Sequence, residues 1–202
     1  MEYPDMPFQP PPRLVLASAS RYRRELLARL GLPFATMAPA VDESPAAGET
    51  PRALALRLAR AKAQAAQPAY PDALIIGCDQ AAAVGAALLN KPGSHENAVR
   101  QLALMRGKSV RFFTALCLLN ARTSRMQHDV VTITVRMRAV TDAQIERYVA
   151  ADRPYDCAGS AKIEGLGIAL VAGIEGDDPS ALIGLPLIKL CDMLRGEGIE
   201  LP

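Results

Sequence analysis

Apolar and polar residues follow two different rhythms along this chain, and the rhythm changes often enough to interleave strands with helices. "RLVLAS" (13–18) is a short apolar run closed by serine, the pattern of a buried strand. Ser20 then suits the N-cap of a helix through Leu26, Leu27 and Leu30 that stops at Gly31. "PFATMAP" predicts a second short strand, followed by the acidic loop "AVDESPAAGE". Thr50 before Pro51 marks the next helix start, with Thr as cap and Pro at the first helical position. In that helix Leu54, Leu58, Ala61 and Ala65 share a face, with Arg57, Arg60 and Gln64 beside it.

"ALIIGCDQ" is an apolar run that ends in Asp79, and "AAAVGAALLNKP" is expected to return beside it as a hairpin. A helix capped by Ser94 runs to Arg106 and closes at Gly107. "SVRFFTALCLLNA" and "QHDVVTITVRMRAV" predict two long strands, the second alternating cleanly over "VTITVRM". Thr141 with Gln144 forms a capping box for a helix to Ala151. A strand around residues 168–174 and a helix after Pro186 complete the chain. The class is α/β or α+β with a mixed sheet.

Composition narrows the function. Half of the 202 residues are apolar and the net charge is +2, so no general pull toward nucleic acid or acidic membranes exists and any anion site is local. The four cysteines, Cys78, Cys117, Cys157 and Cys191, lack zinc spacing and read as thiols of a reducing compartment. Residues 1–12 read as a flexible, partly polyproline-II tail rather than a secretory signal, and residues 13–202 as one domain. A cytoplasmic, soluble protein is expected.

The local chemistry begins with a conflict. Arg21, Arg23 and Arg24 crowd the start of a helix, which already carries roughly half a positive charge. Free N–H groups flanked by guanidiniums suit a phosphate. Asp79 at the end of a strand is placed like a ligand-binding carboxylate, and equally like a turn or cap aspartate. Lys62 alone reads as the solvated side of an amphipathic helix, whereas Lys91 in "NKP" is rigidly presented. Asp42 and Glu43, with Asp79, are hard oxygen ligands suited to Mg2+ held jointly with phosphates. His95 and His128 belong to no nucleophilic motif. Neither a P-loop nor a Rossmann glycine turn is present.

"LASASRYRRELL", "APAVDESP", "RLARAKA", "IIGCDQ", "NKP", "YDCAGSAKIEGLGI" and "IEGDDPSALIGLPLIKLCDML" resemble, in order and spacing, the Maf family of nucleoside triphosphate pyrophosphatases over residues 13–194. The resemblance implies an α/β fold related to inosine triphosphatases, a mixed sheet flanked by helices in two lobes with a central cleft. It implies Asp79 as proton acceptor, Arg23, Lys62 and Lys91 on the triphosphate with Ser18 and Ser20 beside them, and Glu43 with Asp79 at a divalent cation, Mg2+ or Mn2+. It also makes a small nucleotide the partner and a homodimer an expected state.

Tyr22, Gln80 and Glu164 stand where the pyrimidine branch of that family usually has arginine, threonine and glutamine. The set resembles the 7-methyl-GTP branch. Physics favours it, because a base made cationic by N7-methylation gains roughly 0.5–2 kcal/mol over an aromatic face. Glu164 can accept from the N1–H and N2–H edge of guanine, and a site built on such an acceptor rejects bases without those donors. Arg21 and Tyr22 depart from the family, which usually has proline at the first and, in this branch, tryptophan at the second. Two other readings stand beside this one: a pyrophosphatase for dTTP, UTP, CTP or modified pyrimidines, and a nucleotide-binding regulator of cell division without turnover.

Overall fold

The computed structural model describes residues 13–202, so the expected tail at 1–12 lies outside the described residues. Strand β1 (Leu14–Ala17) runs parallel to β2 (Phe34–Met37) and to β3 (Leu74–Val84). Helices α1 (Arg21–Ala28) and α2 (Pro51–Ala66) make the two crossovers. Beyond β3 the pairing turns antiparallel, through β4 (Ala87–Leu89), β5 (Ser109–Asn120), β6 (Arg125–Met137) and β7 (Val171–Glu175). Helices α3 (His95–Met105), α4 (Asp142–Asp152), α5 (Pro179–Ile183) and α6 (Leu187–Arg195) complete the α-helices among the described residues. The sheet has seven strands in the order β2-β1-β3-β5-β6-β7, with β4 on β3. The mixed α/β class is therefore as the sequence predicts.

The long strands carry two packed ends. At the first half of β3, Ile75 packs with Ala55, Ala59 and Ala63 of α2 on one face. On the other face Leu74, Ile76 and Cys78 pack with Leu26, Leu27 and Leu190. At the second half, Ala82 and Val84 join Leu102, Ile145 and Val149 of α3 and α4. The middle of β3 lies between these packed ends, and there the cleft opens.

Four expectations are corrected. The strand expected to end at Asp79 continues to Val84, with Asp79 paired to Ala115 in the ladder. The residues after it, "AAAV", continue the apolar run, so the carboxylate interrupts a strand rather than closing it. Helix α2 buries Ala55, Ala59, Lys62, Ala63 and Ala66 beside Leu54 and Leu58, while Ala61 and Ala65 are half-buried. An alanine-rich helix has a weakly defined apolar face, and its partner strand chooses the face. The strand expected at 168–174 starts at Val171 after a 3-10 turn over Leu166–Leu170. The first helix stops at Ala28, short of Leu30. The remaining capping signals hold: Ser20, Thr50, Ser94 and Thr141 each accept a backbone N–H at their helix starts.

Candidate active site

Gly77 brings the site together. A Cβ there would lie 2.1 Å from the Ala59 carbonyl oxygen and 2.8 Å from the Ala63 nitrogen, so only glycine lets α2 lie this close to β3. Lys62, next to Ala63, and Asp79, two residues beyond Gly77 on the same face of the strand, are thereby forced into contact. Lys62 Nζ donates to Asp79 Oδ1 at 2.6 Å and also meets Glu43 Oε1 at 2.6 Å. Both Lys62 and Asp79 are buried, at 6% and 8% exposure, which rules out the solvated-face reading of Lys62.

Glu43 reaches this pair from the acidic loop. Arg57 fastens that loop by a two-pronged contact with Glu49, at 2.7 and 2.8 Å, and by donating to the Ser44 carbonyl at 2.9 Å. The hydrogen bonds from Arg57 and from the Ala46 N–H pull the Glu49 carboxyl down to about 2. The hydrogen bond from Lys62 lowers the Glu43 carboxyl, with Lys91 and Arg23 adding to the effect through their charge. Two carboxylate oxygens facing one cleft match a Mg2+ or Mn2+ site that takes its remaining ligands from phosphates and water. No cluster of three or more histidine, cysteine or carboxylate groups that could hold a metal ion exists among the described residues.

The arginines at the start of α1 part company. Arg23 turns into the cleft, its Nε donating to the Gly184 carbonyl at 3.0 Å and its Nη1 to Ser18 Oγ at 3.3 Å. Gly184 has φ +129°, a conformation glycine provides, and its carbonyl also accepts from the Cys78 thiol at 3.0 Å. Burial pushes that thiol up to about 11, so it stays a neutral donor. Ser20 caps α1 and lines the cleft, whereas Ser18 is buried, does not line it, and accepts from Arg23. Arg21 stacks on the Tyr22 ring, 4.7 Å from its centre, and Arg24 is exposed; neither lines the cleft. Lys91 does line it, with its loop pinned to α3 by bonds from Asn97 to the Pro92 carbonyl and from Gln101 to the Asn90 carbonyl.

The cleft encloses about 380 Å3. A side cavity of about 30 Å3 opens beside it, and Tyr22, Gln80 and Glu164 all line that cavity. Gln80 holds the cavity's shape: its amide nitrogen donates to Thr114 Oγ1 at 2.9 Å and to the Ala181 and Leu182 carbonyls of α5 at 3.0 and 3.2 Å. Helix α5 had a readable signal, Asp178 as cap before Pro179, that the sequence reading passed over. Asp156 also lines the cleft; it sits inside the "YDCAGS" motif yet received no role from sequence. His95 contacts Glu146 and Tyr155, and neither His95 nor His128 lines the cleft.

Comparison with known proteins agrees with this geometry. The family described as Maf-like protein matches residues 13–197. A 7-methyl-GTP pyrophosphatase of Methylobacillus flagellatus is 59% identical over 189 residues, covering 94% of this chain and 98% of that protein. Proteins of the same name from Thiobacillus denitrificans and Cupriavidus pinatubonensis are 57% and 54% identical, each covering 94% of this chain and 94% and 95% of their own. On a match of that extent, and with the seven motifs gathered round one cleft, the chain belongs to the Maf family.

Proposed function

We propose that this protein hydrolyses 7-methyl-GTP to the nucleoside monophosphate and pyrophosphate. The observation that carries the proposal is the buried Asp79–Lys62 pair opening on a cleft that also presents Arg23 and Lys91, with Tyr22, Gln80 and Glu164 together at its side. The names of the relatives support the choice of base.

In this reading Asp79 takes a proton from water as its oxygen attacks the α-phosphorus. The bond to the bridging α–β oxygen breaks and pyrophosphate departs. Lys62 donates to Asp79 and fixes its orientation. Arg23 and Lys91 neutralise the charge that grows on the leaving group. A divalent cation such as Mg2+ or Mn2+, when bound, withdraws charge from the phosphate oxygens, and Glu43 and Asp79 are the residues that would hold it. Tyr22 offers a ring to the cationic base and Glu164 an acceptor to the N1–H and N2–H edge.

Pyrophosphate release by the purified protein with Mg2+ from 7-methyl-GTP, GTP, dTTP, UTP and CTP tests the reading. Fast release from 7-methyl-GTP is expected. Release from pyrimidines instead keeps the chemistry and overturns the base assignment, and tight binding without release favours the regulator.

A further inference from the structure

Asp156 lies on the cleft wall beside Tyr22, on the loop that follows α4. Its Oδ2 accepts from the Tyr22 hydroxyl at 3.2 Å, although the two residues are 134 apart in sequence. Its Oδ1 lies 3.6 Å from Lys162 Nζ, and Arg21 Nη2 approaches Oδ2 to 4.0 Å. Lys162 is tied down, donating to the Asp152 and Arg153 carbonyls at 2.9 and 3.2 Å. Arg21 donates to the Tyr22 hydroxyl at 2.8 Å and stacks on the ring from outside the cleft. The Tyr22 ring therefore already carries one cation, which weakens its attraction for a second.

Half of the Asp156 side chain remains exposed, at 52%. The carboxylate therefore keeps acceptor capacity and charge turned to the cleft, next to the ring that a base would stack on. A positively charged base gains from that charge and a neutral base does not. We propose that Asp156 is a specificity-determining residue, selecting nucleotides whose base carries a positive charge over the same nucleotide with a neutral base. The proposal rests on the base reading given above. It assigns charge selection to Asp156 and leaves hydrogen-bond selection of the guanine edge to Glu164.

The alternative is mechanical: Asp156 fastens Tyr22 and the two sides of the cleft, with no preference for charge. Asp156→Asn separates the two, because an asparagine oxygen still accepts from Tyr22 but the charge is gone. The experiment measures kcat and KM for 7-methyl-GTP and GTP on wild type, Asp156→Asn and Asp156→Glu at mildly acidic pH, where the methylated base keeps its charge. In Asp156→Asn, KM for 7-methyl-GTP rises on the order of tenfold with kcat nearly unchanged, and KM for GTP stays level. Asp156→Glu keeps the preference. Added salt erodes the wild-type preference and leaves that of Asp156→Asn unmoved. An unchanged ratio of the two substrates in Asp156→Asn overturns the proposal, as does an equal rise in both KM values. A wild type without preference for 7-methyl-GTP overturns the base reading itself, a result the wild-type arm reports separately.

Discussion

Lys62 Nζ lies 2.6 Å from Asp79 Oδ1, and both groups are almost wholly shielded from water. A lone charge in that position is costly: Asp79 is matched there by Lys62, and Lys62 by both Asp79 and Glu43. Removing Lys62 costs about 3–5 kcal/mol, because the Asp79 carboxylate is left buried and without its ion-pair partner. Lys62→Met should therefore lower the thermal midpoint by on the order of 10 °C. Adding Asp79→Asn to it should restore much of the loss. Calorimetry of the two single variants and the double variant reads this directly; additive losses would mean that the pair is not coupled.

Asp79→Asn alone keeps a hydrogen-bonding side chain beside Lys62 but cannot accept the proton of water. Turnover should fall by on the order of 10²–10⁴ with KM little changed. A variant within a few-fold of wild type would remove Asp79 from the proton-acceptor role.

Gly77→Ala tests how the pair is assembled. The added methyl would sit 2.1 Å from a backbone oxygen of α2, so the helix must move outward. Overpacking of this kind costs about 1–3 kcal/mol or more. Because Lys62 travels with α2, kcat should drop even in protein that remains folded. Normal turnover in a destabilised but folded variant would show that Lys62 is free to follow Asp79 without the close approach.

The acidic loop should loosen at low pH. The Glu49 carboxyl is pulled from its ordinary 4.5 to about 2 by Arg57 and the Ala46 N–H. A group whose folded value is depressed contributes stability above its unfolded value and loses it as pH falls through the folded one. The contact thus weakens between about pH 4.5 and 2, and protection of the 42–49 amides from hydrogen exchange should fall across that window. Glu49→Gln should show the weaker protection already at neutral pH, with a higher KM because Glu43 loses its anchor.

Glu164→Gln should narrow the gap between 7-methyl-GTP and pyrimidine nucleotides, since an amide can both donate and accept at the base edge. Competition assays measuring kcat/KM for each nucleotide would detect it. An unchanged order of preference would take Glu164 out of base recognition.

Much of the fold was legible in the sequence, and so were the charged residues that meet at the candidate site. Ser20, Thr50, Ser94 and Thr141 cap helices because a short polar side chain satisfies free N–H groups wherever a helix begins, a purely local effect. A long apolar run announced β5, and clean alternation announced β6, since the pleat itself has period two. The cationic character of the α1 start was visible too; the residues themselves do not say which arginine faces the cleft, and only the family resemblance singled out Arg23. Three arginines sit within four residues, and the Gly184 carbonyl, 161 positions from Arg23, captures only that one.

Sequence by itself thus determined most of the elements, most of their caps and the charged groups available, because these depend on neighbours a few residues apart. Tertiary structure decided which face of α2 is buried, that Asp79 interrupts a strand instead of ending one, and that Asp156 stands beside Tyr22. Each of those outcomes depends on contacts between distant segments, and the closest of them, α2 on β3 at Gly77, turns an ordinary helical lysine into half of a buried ion pair.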